Sequence, residues 1–283
     1  MAVQYKAIAL RVILSRKGFD SSAGGCPSPI IDGRPFPLPI PTRQPTPTTY
    51  GDLARDYAAI VSDLTKGRLS VSSPCHLDPD IDIDALPGSP GWRGALGQVE
   101  AALSHLDNQG VGVGDLFLFW GSYRTAERRL GRWLFVGPTV HMVYGWLQVG
   151  ERRQLGADGS SLLTEFPWLA DHPHVRPGWG TSNAIFLATD KLTAPEFTGA
   201  LSGYGMLTRG YQLSEPAGNP SVWRAPEWLH PSMGGSEMSY HPEGRWSLNG
   251  TVQTVGRGQE FVANIGDDPR FGRWLDKLME TAR

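Results

Sequence analysis

The chain has 283 residues, 40% of them hydrophobic, and a formal net charge of −2, so it can bury a sizeable core but carries no global basic field for nucleic acid. Its two cysteines, Cys26 and Cys75, exclude a disulfide scaffold and a CxxC structural zinc, and they fit a reducing, cytoplasmic setting. No apolar run reaches the roughly 18 residues of a membrane helix and the N-terminus lacks a cleavable leader pattern, so neither secretion nor membrane spanning is expected.

The apolar run Ala7 to Leu14 predicts a buried strand, and the stretch SRKGFDSSAGGCPSPI, Ser15 to Ile30, follows it directly. Loops at strand exits are where open sheets commonly bind ligands. Here Arg16 and Lys17 supply positive charge, Ser21, Ser22 and Ser28 supply hydroxyls, and Gly24 and Gly25 let backbone approach a phosphate or sugar. Asp20 completes the set as an acid/base candidate. The same residues also suit a tight turn in which Asp20 caps backbone N–H groups. Cys26 has no activating neighbour in sequence and reads as an inert thiol.

The proline-dense segment Pro27 to Pro47 favours extended geometry, with Phe36, Leu38 and Ile40 placed to pack one side of an arm against the core. Tyr50, Leu53, Tyr57, Ile60, Val61 and Leu64 recur at helical spacing, which predicts a helix over 48–64 behind a Thr49 cap. In SSPCHLDPDIDIDALPG, prolines forbid helix, and a loop or short edge strand is expected. His76 and Asp78 fall on one side of an extended segment there, the arrangement of a base with its orienting carboxylate or of two metal ligands. Asp78, Asp80 and Asp82 resemble half a calcium loop, but Ile83 replaces the turn glycine, and Asp82 and Asp84 read as solvated acids.

Leu96, Val99, Leu103 and Leu106 predict a second helix over 94–109, and Gly110, Gly112 and Gly114 a turn. GVGVGDLFLFWGSYR then gives the most apolar strand of the middle, with two further strands in RWLFVGPTVHMVYGWLQVGE separated at Gly137-Pro138. Arg124, Arg128, Arg129 and Arg132 form the one dense basic run, suited to nucleic-acid contact or to a solvated face. Asp171-His172-Pro173-His174 is a second histidine cluster that folding could bring to His76 as a metal site, although histidines of a surface loop are the expected outcome. His174 is a further candidate for acid/base work, and no residue is assigned to a metal. A strand over 184–189, a strand over 259–265 and a closing helix over 269–281 complete the reading. Together these elements predict an α/β, α+β-like fold: a mixed β-sheet core with a β-rich middle and about three flanking helices. We expect one compact domain over 1–283, with the site loop, arm and first helix in 1–90 and the β-rich part in 91–283. Phosphate-loop, HExxH, GxSxG and strand-borne GxGxxG signatures are absent.

The order of the pieces carries a resemblance. Arg11-Val12, Asp20, Gly24-Gly25, Ser28-Pro29-Ile30, Pro39-Ile40-Pro41, Tyr50-Gly51, His76-Leu77-Asp78-Pro79, Gly114-Asp115-Leu116, the His172/His174 loop and Gly256-Arg257-Gly258-Gln259-Glu260-Phe261-Val262 resemble the third nucleotide-modification-associated domain family over nearly the whole chain. The resemblance implies an α/β domain of bacterial and phage systems that modify DNA bases, with a nucleotide or DNA and other proteins of the gene cluster as partners. It names no cofactor and no reaction. It adds weight to Asp20, Gly24, Gly25, His76, Asp78, His174, Arg257 and Glu260. The strands of the middle are also similar to small PUA-like barrels. Three roles follow: an enzyme working through Asp20 and His76, a non-catalytic reader of modified nucleic acid, and a structural partner in a modification complex.

Overall fold

The computed structural model describes residues 10–44, 46–216, 218–256 and 258–282. In chain order its regular elements are β1 (Leu10–Arg16), β2 (Ser28–Ile31), β3 (Arg34–Pro35), β4 (Ile40–Pro41), α1 (Tyr57–Leu64), β5 (Cys75–His76), β6 (Ala95–Val99), α2 (Glu100–Asn108), β7 (Leu116–Arg129), β8 (Arg132–Gln154), β9 (Asn183–Ala188), β10 (Tyr204–Gln212), β11 (Val222–Arg224), β12 (Thr251–Gln253), β13 (Glu260–Gly266) and α3 (Pro269–Met279). Among the described residues this is an α+β fold built on a nine-stranded mixed sheet with the path β13-β1-β7-β8-β9-β6. β1 runs parallel to β7 and antiparallel to β13. The remaining strands of that sheet attach at its flanks, β10 on β8, β2 on β7 and β3 on β2.

Residue alternation sends β1 and β7 into two cores. Val12, Leu14, Leu116, Leu118 and Trp120 join one face with Phe271, Leu275 and Leu278 of α3. Ile13, Phe117 and Phe119 join the other with Leu103 and Leu106 of α2. A sheet covered on both faces reads in sequence as a continuous apolar run, the pattern of LFLFW. The sheet also curls, because its two edges meet: Gln98 of β6 donates to Glu260 of β13. That seam is where the site lies.

The closing helix forms as its sequence predicts, with Asp268 accepting from the Arg270 N–H at 2.9 Å and Pro269 at the first position. The other two predicted helices are shorter. Thr49 does not cap a helix; its N–H and hydroxyl donate to Asp52 at 2.8 and 2.7 Å. Arg55 and Asp56 then take φ of 57° and 58°, left-handed values that α1 cannot include. Tyr50 and Leu53 are still buried, so the helical spacing there was met by a folded-back loop. Residues 95–99 of the second predicted helix pair with β9 as a strand. Gly94 and Gly97 weaken a helix there, while the apolar pair Ala95 and Leu96 is fully buried in the sheet. The two strands expected around Gly137-Pro138 are one, β8. The register of β7 on β8 slips between Arg124 and Ala126, opposite that dipeptide, so the break is absorbed as a bulge.

The proline arm packs. Leu38 is wholly buried, and β4 pairs with β5 through Ile40 and His76. Asp82, expected to be solvated, is largely covered in its pair with Arg55, while Asp84, paired with the same guanidinium, stays exposed as expected. His141 of β8 shows a further consequence of burial. Its Nδ1 accepts from the Trp223 indole at 3.0 Å, and burial, with Arg16 nearby, pushes its pKa from 6.5 down to about 4. The unfolded chain therefore binds a proton between these values that the folded chain refuses. Stability contributed by neutral His141 is present above pH 6.5 and is lost as the pH falls toward 4, by about 3 kcal/mol at most. Urea unfolding at pH 7 and pH 4.5 checks this, with a smaller drop expected for His141→Gln than for the natural chain.

Candidate active site

At the seam a cleft of about 340 Å³ is lined by Arg16 to Gly18, Asp20, Ser22, Thr42, Gln44, His76, Asp78, Gly97 to Val99, His174, Trp179 and Gln259. Six separate stretches of sequence contribute to it. β1 delivers Arg16 and Lys17, the arm and β5 deliver His76, β6 delivers Gly97 and Gln98, and the short turn Pro173–Val175 delivers His174.

Asp78 is the centre of the floor. Its Oδ1 accepts from the Gly97 N–H at 2.7 Å and faces His172 Nε2 at 3.4 Å. Its Oδ2 faces His76 Nε2 at 3.7 Å and His174 Nε2 at 3.8 Å. Burial works to raise this carboxyl, yet the contacts with His172, His76 and His174 outweigh it, and Asp78 stays well below the usual carboxylate range. It is a buried anion ringed by three imidazoles. His172 and His174, expected on a surface loop, are each only 3% exposed. Burial drives His174 down to about 3, so its ring is neutral at ordinary pH. Its ring stacks on Trp179 with centroids 4.4 Å apart.

Asp20 lines the cleft beside Arg16, but Oδ1 is taken up by its own turn, accepting from Ser22 N, Ser22 Oγ and Ala23 N at 2.8, 2.7 and 2.7 Å. Burial tends to raise its pKa, and these bonds with Arg16 lower it below the usual value. Gly24 and Gly25 are not on this cleft. Both are left-handed, at φ 82° and 74°, and the Gly25 N–H donates to Asp20 O at 2.9 Å. The need for glycine there is a need of the turn. Ser28 is buried and its Oγ accepts from Leu38 N at 3.1 Å, which fixes the arm.

Glu260 is buried behind the seam and accepts from Ser15 Oγ at 3.0 Å, Lys17 Nζ at 3.2 Å and Gln98 Nε2. It opens onto a neighbouring recess with His105 and Tyr240 rather than onto the cleft. Burial raises its pKa against the pull of Lys17. Arg257 lies outside the described residues. Arg124 sits over the Phe135 ring at 5.7 Å, Arg128 is exposed, and Arg129 pairs with Glu127 at 2.7 Å. None of the three lines the cleft.

Sequence reasoning missed Gly97, Gln98, Trp179 and Asn183. Asn183 accepts from His174 Nδ1 at 2.9 Å, while its amide nitrogen donates to Gly156 O and His174 O at 3.1 and 2.9 Å. Nothing local marks any of these positions. His76, Asp78 and His174 offer ligand atoms that all lie within 4.8 Å of one another, the only such group of three or more among the described residues.

With this geometry in hand, comparison with known proteins gives one finding. The family model for nucleotide modification associated domain 3 matches residues 11–264, a span that contains every described element of the seam. The chain belongs to that family. No curated protein and no solved structure matches it. The match places the chain among domains associated with nucleotide modification and does not distinguish an enzyme from a reader. Among the described residues no helix is long and apolar enough to cross a membrane.

Proposed function

We propose that this member of the nucleotide modification associated domain 3 family is a cytoplasmic enzyme of a DNA-modification system, acting at the seam cleft on a nucleotide or on a base of DNA. The observation that carries the reading is the Asp78 anion, buried among three imidazoles at the floor of a cleft. Buried charge of that kind costs free energy that a reader of modified bases gains nothing from. His76 is the group on the substrate side, with 11% of its side chain exposed, and is suited to carry a proton to or from the reacting base or sugar while Asp78 orients it. Trp179, on the cleft wall, offers an aromatic face for a base, and Arg16 offers charge for a phosphate. Asp20 serves by holding the Arg16 to Ala23 turn in shape. A volume of about 340 Å³ falls in the range of small-molecule sites. Other proteins of the modification system are its natural partners.

The test is mass spectrometry of nucleosides from DNA of cells that carry the intact chain or His76→Ala, after thermal melting shows that the variant folds. Loss of general acid–base catalysis is worth roughly 10²–10⁴-fold in rate, so the modified nucleoside should fall to near background. Asp20→Asn should lower it less. Identical nucleoside profiles for the intact and His76→Ala chains would leave the reader or scaffold roles and remove the enzyme.

A further inference from the structure

The imidazoles around Asp78 are arranged in two different ways, and the difference follows from hydrogen bonds that fix their protons. His172 Nδ1 accepts the His174 backbone N–H at 3.3 Å, which leaves the proton to Nε2, and that nitrogen lies 3.4 Å from Asp78 Oδ1 without a hydrogen bond to it. His174 is the reverse. Asn183 Oδ1 can only accept, because the amide nitrogen is spent on two carbonyls, so His174 Nδ1 is the donor. With Nδ1 so engaged, Nε2 is the ring nitrogen left to meet a ligand, and it stands 3.8 Å from Asp78 Oδ2. His174 Nε2 and His76 Nε2 thus stand 3.8 and 3.7 Å from the same buried carboxylate oxygen, neither at hydrogen-bond distance.

A cation resolves this. We propose that His76 Nε2, His174 Nε2 and Asp78 Oδ2 bind one divalent first-row transition-metal ion. Ligands about 2.0–2.2 Å from one such ion stand on the order of 3.0–3.5 Å apart, so the 3.7 and 3.8 Å contacts with Asp78 require closing by a few tenths of an ångström, and the two imidazoles, whose ligand atoms lie within 4.8 Å, must draw together as well. The donor set of two imidazoles and one carboxylate is that of zinc, iron(II) and related ions rather than of magnesium or calcium. The surrounding bonds also match how metal sites are held. Asn183 orients His174 through its other ring nitrogen, and the Gly97 N–H engages Asp78 Oδ1 and leaves Oδ2 for the ion. Three protein ligands leave coordination positions open toward the cleft, where water or substrate enters.

This inference rests on the same residues as the proposed reaction and makes His76 Nε2 a metal ligand in place of the proton carrier of that reading, and it is tested on the free protein. The full chain, stripped with EDTA, is titrated with Co²⁺ and Zn²⁺ by calorimetry and visible absorption. One equivalent is expected. Affinity should fall by about 100-fold or more in His76→Ala and in His174→Gln, and by roughly 10–100-fold in Asn183→Leu, which removes the orienting acceptor together with the amide's bonds to Gly156 O and His174 O. A measurement that needs no variant is the ¹⁵N spectrum of the imidazoles: Zn²⁺ should shift the Nε2 signals of two histidines, His76 and His174, and not that of His172. Zn²⁺ that moves no imidazole Nε2 signal, or affinity unchanged in both histidine variants, would overturn the site. Metal binding with an unchanged nucleoside profile would instead remove the enzyme reading and leave the metal site standing.

Discussion

Gly97→Ala should abolish the function of the cleft while leaving the sheet in place. A Cβ on Gly97 would lie 2.1 Å from His174 Cγ and Cδ2 and 2.6 Å from Nδ1, distances that real side chains do not tolerate. The strand has little freedom to retreat, because β6 is laddered to β9 from Ala95 to Val99 and the Gly97 N–H is bonded to Asp78. The ring must move instead. Movement breaks the His174 bond to Asn183, changes its stacking on Trp179 and takes Nε2 away from Asp78. A misplacement of about 1 Å costs on the order of 100-fold in a reaction that depends on position, whereas overpacking costs only about 1–3 kcal/mol of stability. The modified nucleoside should therefore drop to near background, and Zn²⁺ affinity with it, in a variant that still unfolds cooperatively in urea. A Gly97→Ala chain with the natural nucleoside profile and natural Zn²⁺ affinity would show that His174 belongs to neither function.

The parts of this site that sequence revealed are those whose geometry is local. His76 and Asp78 are two apart in an extended segment, and period-two alternation alone puts them on one side. Asp20 and Arg16 come from a loop that β1 must deliver to a strand exit. The rest depends on pairings between distant segments. His174 reads as a surface residue because its neighbours, Asp171 and the flanking prolines, are loop formers, and only the ladder of β6 with β9 buries it against Gly97. Gly97 itself was hidden by a leucine spacing that fits a helix as well as a strand followed by a helix. Gly24 and Gly25 were misleading for a different reason, since a left-handed turn and a phosphate cradle ask for the same residue. The closing helix was legible to its first residue because its cap, its proline and its apolar face all agree.

The second large effect concerns the core. Trp120 is 1% exposed, with its ring 4.7 Å from Trp223, 4.9 Å from His141 and 5.8 Å from Phe261. These neighbours belong to β11, β8 and β13, so one side chain on β7 ties the middle of the chain to its last third. Farther along, β7 also supplies Ala126 to the separate cluster of Phe19, Leu38, Tyr50, Tyr57 and Ile60 under the proline arm. Both clusters therefore hang on one strand, and the chain is expected to unfold as one unit rather than as an N-terminal part and a β-rich part. Trp120→Ala should cost about 3–5 kcal/mol, a truncation term plus a cavity that rigid rings cannot fill. In a protein of this size that lowers the melting temperature by roughly 10 °C. Far-UV circular dichroism and tryptophan fluorescence should follow one coincident transition in both chains, shifted as a whole in the variant. Two transitions, with only the later one displaced by Trp120→Ala, would mean that the arm and α1 fold independently of the sheet, and that His76 is carried into the cleft by a part that docks rather than by one that folds with it.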